Sequence, residues 1–486
     1  MADLTDRFSI VGGGYTGLIL ALYLAERGFR NIEVFDGGDE LATLQKAHMF
    51  TVRRADGMHN LADILDTLLD NLYVDGIEFK RWTGLKEDAP DFIFQAALSN
   101  EQYACGLINP DSMGPALLNA LKRRGVDIKY KTKVVAEGSQ NGQKLLAISD
   151  DGVQEIRTDY LFDATNFGVL FRSLRDKSGK PLLDDDPRIC DLMCIRTDGT
   201  MRTDAFVSIF GPNFGPFSWV APSSPDARNP GYSTTIDFIA TRYCHLSERD
   251  EQILAQRLKN MLNNSSSNSI FQRESVRVNN LAELVQLSND ELASRTNMKG
   301  IYRMEPSDDI ALDSVPDIAR KGVFLVGNSA GWGQPTTANI FYVSIQIIEQ
   351  LAYMLKDNKE HNFFNWWRYK GPIDYDFSMA FKQSRIAPDN NRRGRIKFIN
   401  ALNSLPDDAK FAAAIGARIS LPNKLRLMKG NLQYLAGLMA KAHLPFRLGY
   451  VIDGGYCYGK KWGEPLQPLT FSFAAGLSRQ TRHYGY

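Results

Sequence analysis

The chain has 486 residues, of which 44% are hydrophobic and 23% charged, and its net charge is +1. These values exclude an intrinsically disordered, collagen-like or disulfide-scaffold chain. The near-zero charge excludes a molecule built as a whole to bind polyanions, so no nucleic-acid partner is expected. The length predicts one large multi-lobed enzyme or two to three domains.

Cysteines and apolar runs indicate the compartment. The five cysteines show no pairing rhythm, and we interpret them as reduced thiols of a cytoplasmic protein. No apolar run reaches 18 residues, and acidic residues precede the first apolar run. We therefore expect neither a transmembrane segment nor a signal peptide.

The predicted elements begin with a strand over residues 8–11, a glycine turn, a helix over 15–29 and a strand over 32–36. This order is a βαβ unit and predicts a parallel sheet. Further elements follow along the chain. Helices are predicted over 60–76, 111–124, 247–263 and 339–356, strands over 126–130, 205–210, 217–221, 232–242 and 322–327, and a polar loop over 264–269.

The glycine turn carries the first functional signal. Residues 12–17 read Gly-Gly-Gly-Tyr-Thr-Gly, which fits G-x-G-x-x-G, and Asp36 ends the next strand 24 residues after Gly12. Gly12 permits the tight turn, Gly14 lets the backbone approach a pyrophosphate, and Gly17 permits close helix–sheet packing. An acid at Asp36 accepts hydrogen bonds from ribose hydroxyls and disfavours a 2′-phosphate. These residues predict FAD or NAD rather than NADP; the alternative is a glycine turn that only packs an α/β domain.

Two later segments complete a family pattern. Residues 160–168 read Tyr-Leu-Phe-Asp-Ala-Thr-Asn-Phe-Gly, followed by Arg172, and residues 323–331 read Val-Phe-Leu-Val-Gly-Asn-Ser-Ala-Gly, followed by Pro335. In this order with the glycine fingerprint, they resemble the FAD-dependent monooxygenase superfamily of the para-hydroxybenzoate hydroxylase type. That superfamily includes flavin halogenase and geranylgeranyl-reductase-like branches.

The resemblance implies FAD as the cofactor and a set of binding residues. The candidates are Gly12, Gly14, Tyr15, Thr16, Gly17, Asp36, Arg53, Arg54, Asp163, Gly327, Asn328, Pro335, Ala338 and Asn339. Arg53 and Arg54 fit a solvated basic loop equally well. Asn328 stands where the family has an acid, and residues 336–340 replace its G-x-G. No catalytic residue is assigned, because flavin chemistry does not require a protein acid or base, and no metal site is expected.

The resemblance also implies a fold class: α/β, with a Rossmann-like FAD-binding domain on a parallel sheet. That domain is interleaved with an antiparallel-sheet substrate domain and followed by a helical C-terminal extension. The sequence-based domain boundaries are as follows. The FAD-binding domain takes residues 1–75, 105–200 and 300–356, the substrate sheet 76–104 and 201–299, and the extension 357–486.

Aromatic residues are concentrated in the predicted substrate sheet. Phe217, Trp219 and Tyr232 are candidate pocket residues for a planar or apolar substrate, although a sheet that packs its own core explains them as well. The resemblance implies a monooxygenase that hydroxylates or epoxidises an aromatic or extended apolar small molecule through a flavin C4a-hydroperoxide. The alternatives are a flavin-dependent halogenase, a prenyl-chain reductase, or a flavin-fold binding protein whose redox chemistry has decayed.

The sequence indicates the electron source and the partners less directly than the cofactor. NAD(P)H or a reductase partner would supply electrons, since the chain has no second dinucleotide fingerprint. Residues 423–486 hold nine Lys and Arg against two acids. This basic tail predicts a cap on the flavin domain or, alternatively, docking to a membrane surface, a carrier protein or a reductase.

Overall fold

The computed structural model describes most of residues 2–327 and five later positions. Residues outside the description within that range are 41–43, 45–49, 55–76, 87–88, 98–102, 108–109, 140–141, 166–167, 176–178, 180, 182–188, 212–214, 245–250, 268 and 304–318. The later described positions are Ser344, Ile348, Leu351, Ala352 and Leu355. The predicted helix over 60–76 and the predicted extension over 357–486 lie outside the described residues.

Strands outnumber helices in the described part of the chain. The first half contains β1 (Arg7–Val11), α1 (Tyr15–Glu26), β2 (Asn31–Phe35), β3 (Phe50–Arg54), β4 (Ile77–Phe79), β5 (Arg81–Lys86), β6 (Ala89–Ala97), β7 (Tyr103–Leu107), α2 (Pro110–Arg123), β8 (Asp127–Lys129), β9 (Lys133–Ser139), β10 (Gly142–Ser149), β11 (Gly152–Ile156), β12 (Thr158–Asp163) and α3 (Val169–Ser173). The second half contains β13 (Ile189–Thr200), β14 (Ala205–Gly211), β15 (Gly215–Pro225), β16 (Ser233–Cys244), α4 (Glu251–Ser267), α5 (Ser269–Arg273), β17 (Arg277–Val278), α6 (Leu281–Gln286), α7 (Asn289–Ser294), β18 (Met298–Arg303) and β19 (Ala319–Leu325).

The N-terminal βαβ unit lies in a five-stranded sheet ordered β19-β12-β1-β2-β8, and each neighbouring pair is parallel. In chain order this is the 3-2-1-4-5 arrangement of a Rossmann fold, whose strand order reverses between β1 and β12. Val11, Phe35, Asp163 and Leu325 are in register. The carboxyl ends of four strands therefore meet at one edge, where α/β proteins bind ligands.

The core of this lobe forms because its elements are apolar on the sides that meet. α1 is apolar on nearly every side, and its residues from Leu18 to Leu24 are buried against the sheet and α2. The five described positions between 344 and 355 are helical and buried. Apart from the adjacent pair Leu351 and Ala352, they follow one another at three or four residues and lie on one helix face, in agreement with the predicted helix over 339–356.

A second, larger sheet is ordered β17-β13-β16-β15-β14-β5-β6, with β18 also paired to β13. Its pairs are antiparallel except β14 and β5, which run parallel. One face packs against α4 through residues such as Ile195, Phe238 and Leu258. Two smaller three-stranded sheets, β11-β10-β9 and β3-β7-β4, complete the described fold.

The predicted α/β class, with a parallel sheet and a mainly antiparallel one, is confirmed. Two details differ from the sequence-based expectations. The domain boundary at residue 200 assigned β13 to the FAD-binding lobe, but backbone hydrogen bonds place β13 between β16 and β17 in the larger sheet. The loop predicted over 264–269 is instead helical through Ser267, where α4 ends. Among the described helices, none is long and apolar enough to cross a membrane.

Candidate functional site

The glycine turn after β1 lies directly against the turn after β12. Gly12 has a φ of +114°, and its N–H donates to the carbonyl oxygen of Phe35 at 2.8 Å. A Cβ at Gly12 would lie 2.7 Å from the carbonyl carbon of Ala164, closer than real Cβ atoms approach. Ala164 N–H in turn donates to the carbonyl oxygen of Val11 at 2.8 Å. Glycine is therefore required here both by backbone conformation and by the packing of two turns.

The N-terminus of α1 begins at this turn. A Cβ at Gly17 would lie 2.0 Å from the carbonyl oxygen of Gly12, so the helix approaches the strand at a distance that only glycine permits. Gly14 is the N-cap residue, and no side chain caps the helix. The first turn contains no acidic residue. The helix dipole at this N-terminus, with no acidic side chain in the first turn, favours an anion.

Asp36 lies beside the turn, in a loop fixed on both sides. Its backbone N–H donates to the carbonyl of Lys129 at 2.9 Å, and its own carbonyl accepts from Thr132 at 2.8 Å. One carboxylate oxygen, Oδ1, accepts from the N–H of Gly38 at 2.8 Å. The other, Oδ2, lies over Gly13, where a Cβ would come within 2.2 Å of it. The acid predicted to bind ribose is therefore held against the glycine turn.

Tyr130 lies near this acid and carries no signal in the sequence motif. Burial, together with the negative charges of Glu40 and Asp36, raises the pKa of Tyr130 to about 12. The phenol therefore stays neutral at physiological pH and presents a ring and a hydroxyl beside Asp36. Sequence reasoning missed it because the contact joins two strands that are far apart along the chain.

Asp163 ends β12 and is fully buried. Its Oδ1 accepts from the Thr165 N–H at 3.0 Å and from the Thr165 hydroxyl at 2.5 Å, and its Oδ2 accepts from the Phe171 N–H at 2.9 Å. Burial raises the pKa of Asp163 to about 6, against these hydrogen bonds, which lower it. Both carboxylate oxygens thus bind the protein itself and connect the turn that packs on Gly12 to α3.

Gly327, in the motif at residues 323–331, lies against the start of α1. Its φ is +76°, and a Cβ there would lie 2.8 Å from Cγ2 of Thr16 in the first turn of α1. The preceding residue, Val326, donates its N–H to the carbonyl of Asp163 at 3.0 Å. Segments around residues 12–17, 163–165 and 327 therefore converge at the carboxyl edge of the parallel sheet.

The larger sheet and the neighbouring strand β4 supply a separate aromatic group. Trp219 is buried, and its ring centroid lies 6.1 Å from that of Phe206, which in turn lies 5.6 Å from Phe79. Because Val220 belongs to the core under α4, strand alternation places Trp219 on the opposite face. Within the described part of the chain, the indole Nε1 of Trp219 has no hydrogen-bond acceptor.

A buried ion pair lies on the same face as Trp219. Arg196 on β13 is in register with Asp237 on β16, and its guanidinium makes two hydrogen bonds to that carboxylate, of 2.9 and 3.1 Å. Asp237 is fully buried, whereas the Arg196 side chain is 26% exposed. Burial, with a further contribution from Asp237, raises the pKa of the nearby Cys194 thiol well above its usual value. Cys194 is therefore protonated at neutral pH and is a poor nucleophile.

We call the carboxyl edge of the parallel sheet, where residues 12–17, 163–165 and 327 converge, the cofactor edge. Its geometry fits a dinucleotide. It combines a turn that side chains would fill, an uncapped helix N-terminus and an acid at the end of the neighbouring strand. Residues 6–165 match the sequence profile of the family described as FAD binding domain. The chain therefore carries an FAD-binding domain over these residues. It is a flavoprotein and an FAD-dependent oxidoreductase.

Solved structures share the flavoprotein's fold at low sequence identity. A geranylgeranyl bacteriochlorophyll reductase-like protein from Thermoplasma acidophilum is 15% identical, with a TM-score of 0.54 over 90% of this chain and 98% of its own. A flavoprotein/dehydrogenase from Cytophaga hutchinsonii is 13% identical, with a TM-score of 0.53 over 90% and 100%. A myxobacterial chondrochloren halogenase is 12% identical, with a TM-score of 0.51 over 89% and 90%. Among curated proteins, no sequence is significantly similar to this flavoprotein.

The remaining predicted site residues of the flavoprotein divide into two groups. Asn328, Pro335, Ala338 and Asn339 lie outside the described residues. The backbones of Arg53 and Arg54 lie in β3, paired with β7, and their side chains lie outside the description. The cofactor contacts of both groups stay predictions.

The predicted pocket residues are not all brought together. Phe217 lies in β15, and its side chain is outside the description. Tyr232 precedes β16 and forms an isolated bridge with Arg202. Ile239, the partner of Trp219, is seven residues further on, about 20 Å along an extended strand. No cluster of acidic, Cys or His side chains in the described residues has the arrangement of a metal site.

Proposed function

We propose that this flavoprotein is a monooxygenase that hydroxylates or epoxidises a planar aromatic or extended apolar small molecule. The observation that carries the proposal is the convergence of the glycine turn, Asp36 and Gly327 at the switch point of the parallel sheet. When bound there, FAD would supply electron transfer and oxygen activation. The protein's own residues would bind and orient the cofactor and the substrate and shield them from solvent.

The adenosine half of the cofactor would be held by the described residues. The N–H groups at the start of α1 would donate to the pyrophosphate, and Gly14 would let the backbone come close to it. Asp36 would accept hydrogen bonds from the ribose hydroxyls, and its charge would repel a 2′-phosphate. Asp163 would act through the Thr165 turn, since its carboxylate oxygens are already engaged.

The flavin half would be held by the third motif. We propose that Asn328 donates its amide to the ribityl chain, and that Pro335, Ala338 and Asn339 border the ring. The helix containing Ser344 would then point its positive end at the flavin, where it would stabilise negative charge on the reduced ring. Arg53 and Arg54 would pair with the pyrophosphate or flank the ring.

The substrate would bind the face of the larger sheet that carries Trp219. Phe206 extends this face and Phe79 of β4 packs against it, and these apolar rings favour a planar or apolar molecule. A buried indole N–H without an acceptor costs free energy. We therefore propose that the substrate carries an oxygen that accepts from Trp219 Nε1.

The proposal is tested with the purified full-length protein. A yellow chromophore released on denaturation, together with oxygen uptake that requires NADH or NADPH, is the expected result. If a reductase supplies the electrons, adding a flavin reductase should be necessary for uptake. Labelled dioxygen should place one labelled oxygen atom in the product of an aromatic substrate. Gly14→Val serves as the control that cannot accommodate the pyrophosphate.

Other outcomes would contradict the monooxygenase proposal. Product formation that requires chloride or bromide would indicate a halogenase. Saturation of a prenyl chain under anaerobic conditions would indicate a reductase. A colourless protein that takes up no added FAD would contradict the cofactor assignment as well.

A further inference from the structure

Gly13 occupies a position that the G-x-G-x-x-G pattern leaves unspecified. It is buried, and an ideal Cβ built on it would lie 2.2 Å from Oδ2, 2.8 Å from Cγ and 2.7 Å from Cβ of Asp36. Real Cβ atoms do not approach other heavy atoms below 3.0 Å. The absence of a side chain at Gly13 therefore provides the space in which the Asp36 carboxylate lies.

Rotation of the Asp36 side chain cannot relieve such a contact. Asp36 Cβ is itself 2.7 Å from the built atom, and Cβ moves only with the backbone. That backbone is hydrogen-bonded to Lys129 on one side and to Thr132 on the other. The loop that follows is tied as well, because Lys131 N–H donates to the carbonyl of Gly38 at 2.9 Å. A side chain at residue 13 must displace the loop or Asp36 as a whole.

We propose that Gly13 is a positioning residue for ribose recognition: its missing side chain lets the Asp36 carboxylate lie against the phosphate-binding turn. The inference rests on FAD binding at this edge, as proposed above. A ribose follows the pyrophosphate directly in a dinucleotide, so an acid that contacts its hydroxyls must lie close to the turn that holds the phosphates. Gly13 sets that separation.

The test compares Gly13→Ala with Gly37→Ala in the flavin-free full-length protein. Gly37 follows Asp36 in the same loop, is exposed, and has no atom within 4 Å of its built Cβ, so alanine should be tolerated there. Titration with FAD should show the dissociation constant rising about tenfold or more in Gly13→Ala and remaining unchanged in Gly37→Ala. Equal affinity in Gly13→Ala and the wild type would overturn the inference.

A second measurement separates positioning from a merely structural effect. Binding of ADP and of 2′,3′-dideoxy-ADP is measured by calorimetry, since the second ligand lacks the hydroxyls that Asp36 would contact. Gly13→Ala should weaken ADP strongly and the dideoxy analogue little. An equal loss for both ligands would show that residue 13 acts on the phosphates instead. Wild-type protein that binds neither FAD nor ADP would contradict the proposed function rather than this inference.

A double variant keeps the inference testable if Gly13→Ala does not fold. In Asp36→Gly the clashing Cβ and carboxylate are absent, so adding Gly13→Ala should leave thermal stability and FAD affinity where Asp36→Gly alone puts them. A further loss of affinity or stability in the double variant would overturn the inference, because it would place the conflict of residue 13 with some other group.

Discussion

At the scale of single residues, the glycines of one fingerprint have different tasks. Gly17 is required by packing, since its built Cβ meets the Gly12 carbonyl oxygen at 2.0 Å. Gly14 adopts a φ of −71° and a ψ of 175°, an extended conformation that any residue can adopt. Backbone conformation therefore does not require glycine at residue 14, and the reason we propose for it is space for the cofactor.

This difference predicts two separable defects. Gly14→Val should fold with a melting temperature close to that of the flavin-free wild type but should retain no flavin. Gly17→Val should lower the melting temperature before any ligand is added, because the clash is with backbone. Circular-dichroism melting and flavin absorbance after purification measure both effects. Full flavin occupancy in Gly14→Val would mean that the turn is only structural.

At the scale of elements, Asp163 joins a strand, a turn and a helix. The N-cap residue of α3, Gly168, has no side chain to cap the helix. Two backbone N–H groups of the first helical turn donate instead to side chains that precede the helix. Val169 N–H donates to the Thr165 hydroxyl at 2.8 Å and Phe171 N–H to Asp163. An ionised carboxylate in this buried place costs free energy, which its hydrogen bonds only partly offset.

The buried carboxyl predicts a pH-dependent stability. The pKa of Asp163 rises from 3.8 in the unfolded chain to about 6 in the folded protein, so the folded state binds this proton more tightly. The resulting stabilisation is complete below about pH 4 and is lost as pH rises through 6. Two pKa units correspond to about 3 kcal/mol. Urea unfolding between pH 4 and 7 should show wild-type stability falling by up to about this amount relative to Asp163→Asn.

The Asn variant provides the reference because it cannot ionise. Its amide nitrogen would face a backbone donor, so Asp163→Asn should also be less stable than the wild type at the acidic end of the range. Parallel curves for the two proteins across the whole range would show that Asp163 does not titrate in the way its burial implies.

At the scale of the whole molecule, the cofactor edge joins distant parts of the chain. β1 pairs with β12, and β12 pairs with β19, so residues near 12, 163 and 327 become neighbours. A ligand bound to all three segments contacts the folded state and not the unfolded chain. Binding energy is then added to the stability of the entire lobe.

This geometry predicts a global response to FAD. At a free concentration of one hundred times the dissociation constant, FAD should raise the unfolding free energy by about 2.7 kcal/mol. The melting temperature should rise with FAD concentration in the wild type and stay constant in Gly14→Val. Thermal denaturation followed by circular dichroism measures the shift. A rise of the same size in Gly14→Val would show that FAD binds somewhere other than the glycine turn.

Several features of the fold and site could be predicted from local sequence. The βαβ opening and the spacing from Gly12 to Asp36 were visible because strand, turn and helix are consecutive. The place of β13 was not, because sheet membership depends on pairing with β16, some forty residues later. Tyr130 was missed for the same reason, since it depends on a partner brought close by the fold. The hydrogen bonds of Asp163 are local, joining it to Thr165 and Phe171, but the motif assigned this carboxylate to the cofactor instead.

The sequence by itself determined the class of protein: near-neutral, mixed α/β, and carrying an FAD fingerprint whose residues are contiguous. Tertiary structure decided how these residues act together. It alone places Gly327 on Thr16 and the Asp36 carboxylate over Gly13, because those contacts depend on the register of parallel strands and the closeness of their turns. Composition and spacing contain the donors and acceptors, whereas distances of a few ångströms, set by packing, decide which of them remain free for a ligand.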